Sequence, residues 1–191
     1  GKGTITAALP DFNHSSGALA LQQNGKIVVA GTVTNAGNTI ENLALARFNT
    51  NGALDTTFGG TGIVTTDLGN NEKGSDLVIQ PDGKIILVGT IYASNFSDIL
   101  LVRYTSDGAL DNSFGENGKI IKDLGNAPDL GNGITIQPDG MVVVAGSSNG
   151  RALLARYILE VSNHQTISTT FRSKAVHDGW VLEAGENSNS G

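Results

Sequence analysis

The chain has 191 residues, of which 39% are hydrophobic, 5% aromatic and 16% charged, enough apolar content for a core and too little charge for a disordered polyelectrolyte. A formal charge of −6 argues against nucleic-acid partners, which demand clustered Lys and Arg. No apolar run approaches the ~20 residues that span a bilayer as a helix, so no membrane span is expected. The 26 glycines, set against four prolines and without a period of three, favour many turns over long helices. Cysteine is absent, which removes disulfides, thiolate metal sites and Cys nucleophiles together. No signal peptide is evident, and Gly1-Lys2-Gly3 reads as the start of a trimmed piece of something longer.

Taken in chain order, three kinds of segment recur in one fixed sequence. The first is GTITAAL (3–9), then GIVTTDL (62–68) and GKIIKDL (118–124). The second is LQQNGKIVVAG (21–31), IQPDGKIILVG (79–89) and IQPDGMVVVAG (136–146), whose turn glycines Gly25, Gly83 and Gly140 lie 58 and 57 residues apart. The third is LARF, LVRY and LARY, which carry Arg47, Arg103 and Arg156. Residues 1–160 are therefore three copies of one unit, at about 1–59, 60–117 and 118–160, while 161–191 is a different element.

Each copy reads as four short strands. In QPDGK the proline presets φ at the second turn position, Asp82 suits the third, and Gly83 takes the left-handed conformation, which predicts a tight hairpin bulged at its glycine. Asn24-Gly25 gives copy one a comparable signal. The strands that follow are apolar at nearly every position, as in Ile27-Val28-Val29-Ala30, Ile85-Ile86-Leu87-Val88 and Val142-Val143-Val144-Ala145. A strand with one buried face would alternate, so these must be covered on both sides. Stacking one small antiparallel sheet on the next does this. The expected fold is all-β: a β-propeller-like array of three four-stranded antiparallel blades with a C-terminal extended β segment; an open β-sandwich is the rival.

Between copies the chain reads FNTNGALDTTFGGTG (48–62) and YTSDGALDNSFGENG (104–118). Joined to the QPDGK hairpin and the LAR[FY] strand, this resembles the bacterial delta-60 repeat, a family of secreted, propeller-like repeat proteins. The resemblance covers about residues 1–160, implies the blade fold and a bacterial-type secreted, extracellular or cell-surface location, and brings no activity with it. Copy three departs from the pattern: ILEVSNHQTIST follows Tyr157, so the array stops there. The stretch DGWVLEAGENSN within 166–191 resembles the opening of a secreted β-sandwich module. Residues 161–191 read as two β segments around His177-Asp178-Gly179, serving as linker or strand-exchange tail.

The search for chemistry returns mostly structural readings. GSSNG (146–150) fits a nucleophile elbow with Ser148 as nucleophile, but the elbow needs a helix next and RALLARY reads as a strand. His14, His164 and His177 have no metal-type spacing. Asn13-His14-Ser15 and Asn95-Phe96-Ser97 match glycosylation triplets. Asn51, Asp55, Asp107 and Asp111 offer oxygen ligands in sharp turns, as calcium loops do, although side chains capping their own backbone explain the same pattern and are preferred. Apart from that calcium, no cofactor is implied. Arg47, Arg103 and Arg156 sit in apolar strands where an unpaired charge is costly, so Asp55 and Asp111 are the expected partners of the first two. Phe58 and Phe114 are expected to plug the gaps between adjacent blades.

Three blades are too few to close a ring, and an open stack leaves two faces bare. The expectation is a non-enzymatic extracellular structural or interaction module that self-associates, as a surface or filament subunit, or that is completed by further repeats of its own polypeptide. The alternative is a glycan-binding propeller domain, which would need repeated exposed loop aromatics; these are few, and Tyr92 and Phe96 occur in copy two alone.

Overall fold

A computed structural model of the chain describes residue 4 and residues 12–35, 40–93, 96–125, 127–157, 172–176 and 179–183. Every regular element among them is a β-strand, and none of them forms a helix long and apolar enough to cross a membrane. Strands β1 (Phe12–Leu21), β2 (Ile27–Asn35), β3 (Glu41–Phe48) and β4 (Ile63–Thr66) form one antiparallel sheet in that order. The middle sheet repeats the pattern with β5 (Asn71–Ile79), β6 (Ile85–Tyr92), β7 (Ser97–Tyr104) and β8 (Lys119–Lys122). The third sheet holds β9 (Asp129–Ile136), β10 (Val142–Ser148) and β11 (Arg151–Tyr157). A separate hairpin, β12 (Arg172–Val176) with β13 (Gly179–Glu183), lies in the C-terminal element, where two β segments were expected.

The local chemistry of the turns sets these registers. Gly83 sits at φ +86°, its N–H donates to the Gln80 carbonyl at 2.9 Å, and the Lys84 N–H donates to Asp82 Oδ1 at 3.1 Å. Gly25 and Gly140 close the same turn at φ +79° and +81°. The two-residue turn joining β10 to β11 is of another kind: Asn149 and Gly150 both have positive φ, the signature of a type I′ hairpin.

Two expectations need correcting. The third sheet has three strands among the described residues, not four, and a sequence copy is not a sheet. GIVTTDL opens copy two, yet its strand β4 pairs with β3 and completes the sheet of copy one. GKIIKDL opens copy three, yet β8 pairs with β7 in the middle sheet. The first two sheets therefore each take their fourth strand from the head of the following copy. Copy three is followed by ILEVSNHQTIST instead of another such head, and among the described residues β11 is an edge strand.

The sheets stack face on face, with β5 against β1, β2 and β3, and β9 against β5, β6 and β7. Two apolar clusters fill the junctions. Leu43, Leu45, Leu77 and Leu87 belong to the first, and Ile86, Leu101, Ile134 and Val144 to the second. Ile85 to Val88 are wholly buried, so the middle sheet is covered on both faces as its unbroken apolar run requires. Positions aligned by the repeat differ at the ends of the stack. Leu45 and Leu101 are 1% and 0% exposed, whereas Leu154, their counterpart on β11, is 45% exposed. Replacing Leu101 with Ala should therefore cost about 2–5 kcal/mol, and Leu154→Ala about 1 kcal/mol or less, measured by urea unfolding. Equal losses would contradict the stacked order.

Candidate functional site

The loops joining consecutive sheets carry the densest polar chemistry. Arg47 leaves the apolar strand β3 and points its Nε at Asp55 Oδ2, 2.6 Å away. Its Nη2 donates to Thr57 Oγ1 at 3.1 Å and its Nη1 to the Ser106 carbonyl at 2.6 Å, a bond that reaches into the next sheet's loop. Lys26, from the hairpin turn of the same sheet, donates to Asp55 Oδ2 at 2.7 Å, and the Thr57 hydroxyl donates to Oδ1. The guanidinium lies over the buried Phe58 ring, 4.6 Å from its centroid. The middle sheet repeats the constellation: Arg103 Nε to Asp111 Oδ2 at 2.8 Å, Lys84 to the same oxygen at 3.0 Å, and Phe114 4.6 Å from the guanidinium carbon. Phe58 belongs to the first apolar cluster and Phe114 to the second, so each ring does fill one junction.

These contacts decide the fate of the loop carboxylates. The Lys26 and Thr57 hydrogen bonds hold the Asp55 carboxyl well below the ordinary range against the opposing effect of burial. At Asp111 burial works upward and is the largest single influence, but Ser113, Lys84 and Arg103 outweigh it and the net shift is down. Both oxygens of each aspartate are met by protein donors. Asn51 Oδ1 accepts the Ala53 N–H at 3.0 Å, and Asp107 accepts the Thr105 hydroxyl. All four residues are thus engaged in pairing or turn capping, and the calcium-loop reading of this loop gives way to the structural one.

Copy three lacks the loop aspartate, and Arg156 turns to its own hairpin instead. Its Nε donates to Gln137 Oε1 at 2.6 Å and its Nη2 to Asp139. In the first two copies the equivalent Gln22 and Gln80 have a buried Oε1 without a hydrogen-bond partner, because their arginines face the loop. Ser148 ends β10 opposite Arg151 in the Asn149-Gly150 hairpin, so the strand–turn–helix of a nucleophile elbow is replaced by strand–turn–strand. The backbone of Asn13, His14 and Ser15 runs within β1, while His164, His177, Asp178 and Asn95 lie outside the described residues.

Three stretches, residues 22–58, 80–114 and 137–157, match the family model described as "Domain of unknown function (DUF5122) beta-propeller". The three repeats belong to this β-propeller family. Each match begins at the hairpin glutamine (Gln22, Gln80, Gln137) and the first two end on the plugging phenylalanines (Phe58, Phe114). The DUF5122 stretches thus enclose the Arg–Asp–Lys–Phe constellation, and the third is shorter by the loop that copy three lacks. No curated protein matches the chain.

Sequence reading passed over a second carboxylate group. Asp98 at the head of β7, Asp123 just after β8 and Asp129 at the head of β9 each bring one oxygen within 4.8 Å of the other two. The only signal was the repeated DL of IVTTDL and IIKDL, which marks Asp67 and Asp123 but not their company. Two unit charges at that separation repel by about 1 kcal/mol in water and about 3 kcal/mol at an effective dielectric near 20.

Removing the Arg103 charge leaves Asp111 with Lys84 as its only cation in a largely buried setting, so Arg103→Met should lower stability by about 3 kcal/mol. Arg156→Met, at a half-exposed pair, should cost a small fraction of that in the same chemical denaturation series. Because the folded-state pKa values of Asp55 and Asp111 lie below their unfolded values, the unfolded chain binds the extra protons. Their contribution is complete above about pH 4 and is lost as pH falls through the folded values. Melting curves from pH 6 to pH 2 should show that decline, with a shallower slope for Asp111→Asn.

Proposed function

We propose that this chain is a non-enzymatic extracellular module of delta-60 type, a structural or interaction unit that assembles through the outer faces of its terminal sheets. The observation that carries the reading is the contrast between equivalent positions. On the first sheet Leu19 and Leu21 are both 66% exposed, while Leu77 and Ile134, the counterparts of Leu19, are 4% and 8% exposed. On the third sheet Leu154 is open, and Ala145 and Ala152 with it, where Val88 and Ile99 of the middle sheet are wholly buried. One bare face is of the kind that β5 and β9 present to the sheet before them. The other is of the kind that receives them.

A second copy supplies the missing cover. Its first sheet, seated on the third sheet of its neighbour, would reproduce the junctions already present within the chain, with Leu19 and Leu21 meeting Leu154. Such a contact is heterologous, so it closes into a ring or continues as a filament according to the rotation per copy. Further repeats of the same polypeptide would use the same two faces. The rival glycan-binding reading rests on Tyr92 and Phe96, 40% and 43% exposed at one loop and without counterparts in the other copies.

Light scattering over a concentration series tests this. The wild type should associate as concentration rises, and Leu154→Glu or Leu19→Glu should each restore the monomer mass. A wild type that stays monomeric at every concentration would overturn the assembly reading.

A further inference from the structure

Asp129 is fully buried at the start of β9. Its Oδ2 accepts the Leu124 N–H at 2.7 Å, and its Oδ1 is buried with no hydrogen-bond partner. Beside it stand Asp98, half-buried, whose side chain has no hydrogen bond or ion pair, and Asp123, exposed, whose Oδ1 accepts the Gly125 N–H. Among the described residues no Lys or Arg forms an ion pair with any of the three. We propose that Asp98, Asp123 and Asp129 form a calcium site that ties the middle sheet to the third sheet.

Calcium takes six to eight oxygen ligands at about 2.3–2.6 Å, so two oxygens on opposite sides of one ion are about 4.6–5.2 Å apart and any other pair is closer. The three carboxylates fall within that span as they stand. Magnesium, held at about 2.0–2.1 Å, spans only about 4.0–4.2 Å and demands a stricter octahedral geometry. Oxygen-only ligands suit a hard cation, and the exposed Asp123 gives the ion a way in while waters complete its shell. Burial, then the charges of Asp123 and Asp129, raise the pKa of the Asp98 carboxyl above the ordinary range, as expected of an anion lacking a counter-charge.

The repeat supplies an independent echo. At the junction one copy earlier the equivalent positions hold Asn42, Asp67 and Glu72. Here too buried oxygens go unpartnered, Asn42 Oδ1 and Glu72 Oε2, while Glu72 Oε1 accepts the Asn70 N–H at 3.0 Å. With one charge fewer this set is a weaker site. On the third sheet the position of Asp98 is taken by Arg151, which excludes a further copy.

Calorimetric titration of the whole chain with calcium chloride tests the proposal, alongside melting curves in calcium, magnesium and chelator. The expected result is one ion per chain with a Kd of about 10⁻⁴–10⁻³ M, the range of extracellular calcium modules, and a melting temperature raised by calcium more than by magnesium. Asp129→Asn and the exposed Asp123→Asn should each weaken binding by about tenfold or more; the second keeps the test open if the first fails to fold. Asn42→Asp should tighten the earlier site into the measurable range and raise the stoichiometry from one to two. No heat and no melting shift at about ten times the upper Kd would overturn the site and leave a cluster that relieves its repulsion by binding protons. Binding undiminished in Asp123→Asn and Asp98→Asn would overturn the assignment of ligands.

Discussion

An apolar strand buried on both faces cannot be the last layer of anything. Ile85, Ile86, Leu87 and Val88 point alternately to opposite sides of the middle sheet, and all four are wholly buried. That is achieved only because β5 and β9 carry one sheet onto the next. Apolar area removed from water is worth roughly 25 cal/mol per Å², so a sheet side left open forfeits what the inner junctions gain. The rest follows from this: small residues where strands approach closely, loops that cross from sheet to sheet, and terminal faces chemically suited to one another. Gly131 shows how tight the approach is, since a Cβ there would lie 2.5 Å from the Gly89 carbonyl oxygen of the neighbouring sheet.

The interblade loop answers a second problem created by the first. An arginine in a strand otherwise given over to the core must find its counter-charge without leaving the apolar layer. The Leu54-Asp55 and Leu110-Asp111 segments return to bridge Phe48 and Tyr104, which brings each aspartate alongside its arginine and each phenylalanine under the guanidinium. A buried pair of this kind adds little net stability over an apolar replacement, because desolvation offsets attraction. Its effect is to fix register: Arg47 reaches the Ser106 carbonyl, and the Gly59 N–H donates to the Asp107 carbonyl at 2.9 Å, so the first loop is keyed to the second.

What the sequence disclosed was local or repeated. The hairpin at Gln80-Pro81-Asp82-Gly83 follows from the φ that proline and glycine allow, and the double burial of β6 follows from the absence of alternation. Arg47 and Asp55 are eight residues apart in one motif, so their meeting was legible. The assignment of β4 and β8 to the preceding sheet was not, because a repeat has no marked beginning and any cut through it gives equally similar copies. Arg156 was found to need a partner, but nothing local points to Gln137 and Asp139, whose counterparts face elsewhere in the other copies. Asp98 and Asp129 escaped notice for a related reason: they come together only where two sheets meet, 31 residues apart, and Asn42 and Glu72 replace them in the copy before.

The offset between copy and sheet gives the stack its direction. Because β4 and β8 are lent backward, every inner sheet is closed by the chain that goes on to build the next one, and no sheet can separate without breaking its neighbour's ladder. The same rule leaves the two ends unlike. The front face presents the leucines of β1, and the rear presents Leu154 on β11, an edge strand among the described residues. Unlike ends that fit each other favour head-to-tail addition over a two-fold dimer, since a symmetric contact would set leucine-bearing β1 against its own image and leave both β11 edges open. Polarity, set by a single strand passed across each junction, is therefore the property of this repeat on which the proposed head-to-tail association rests.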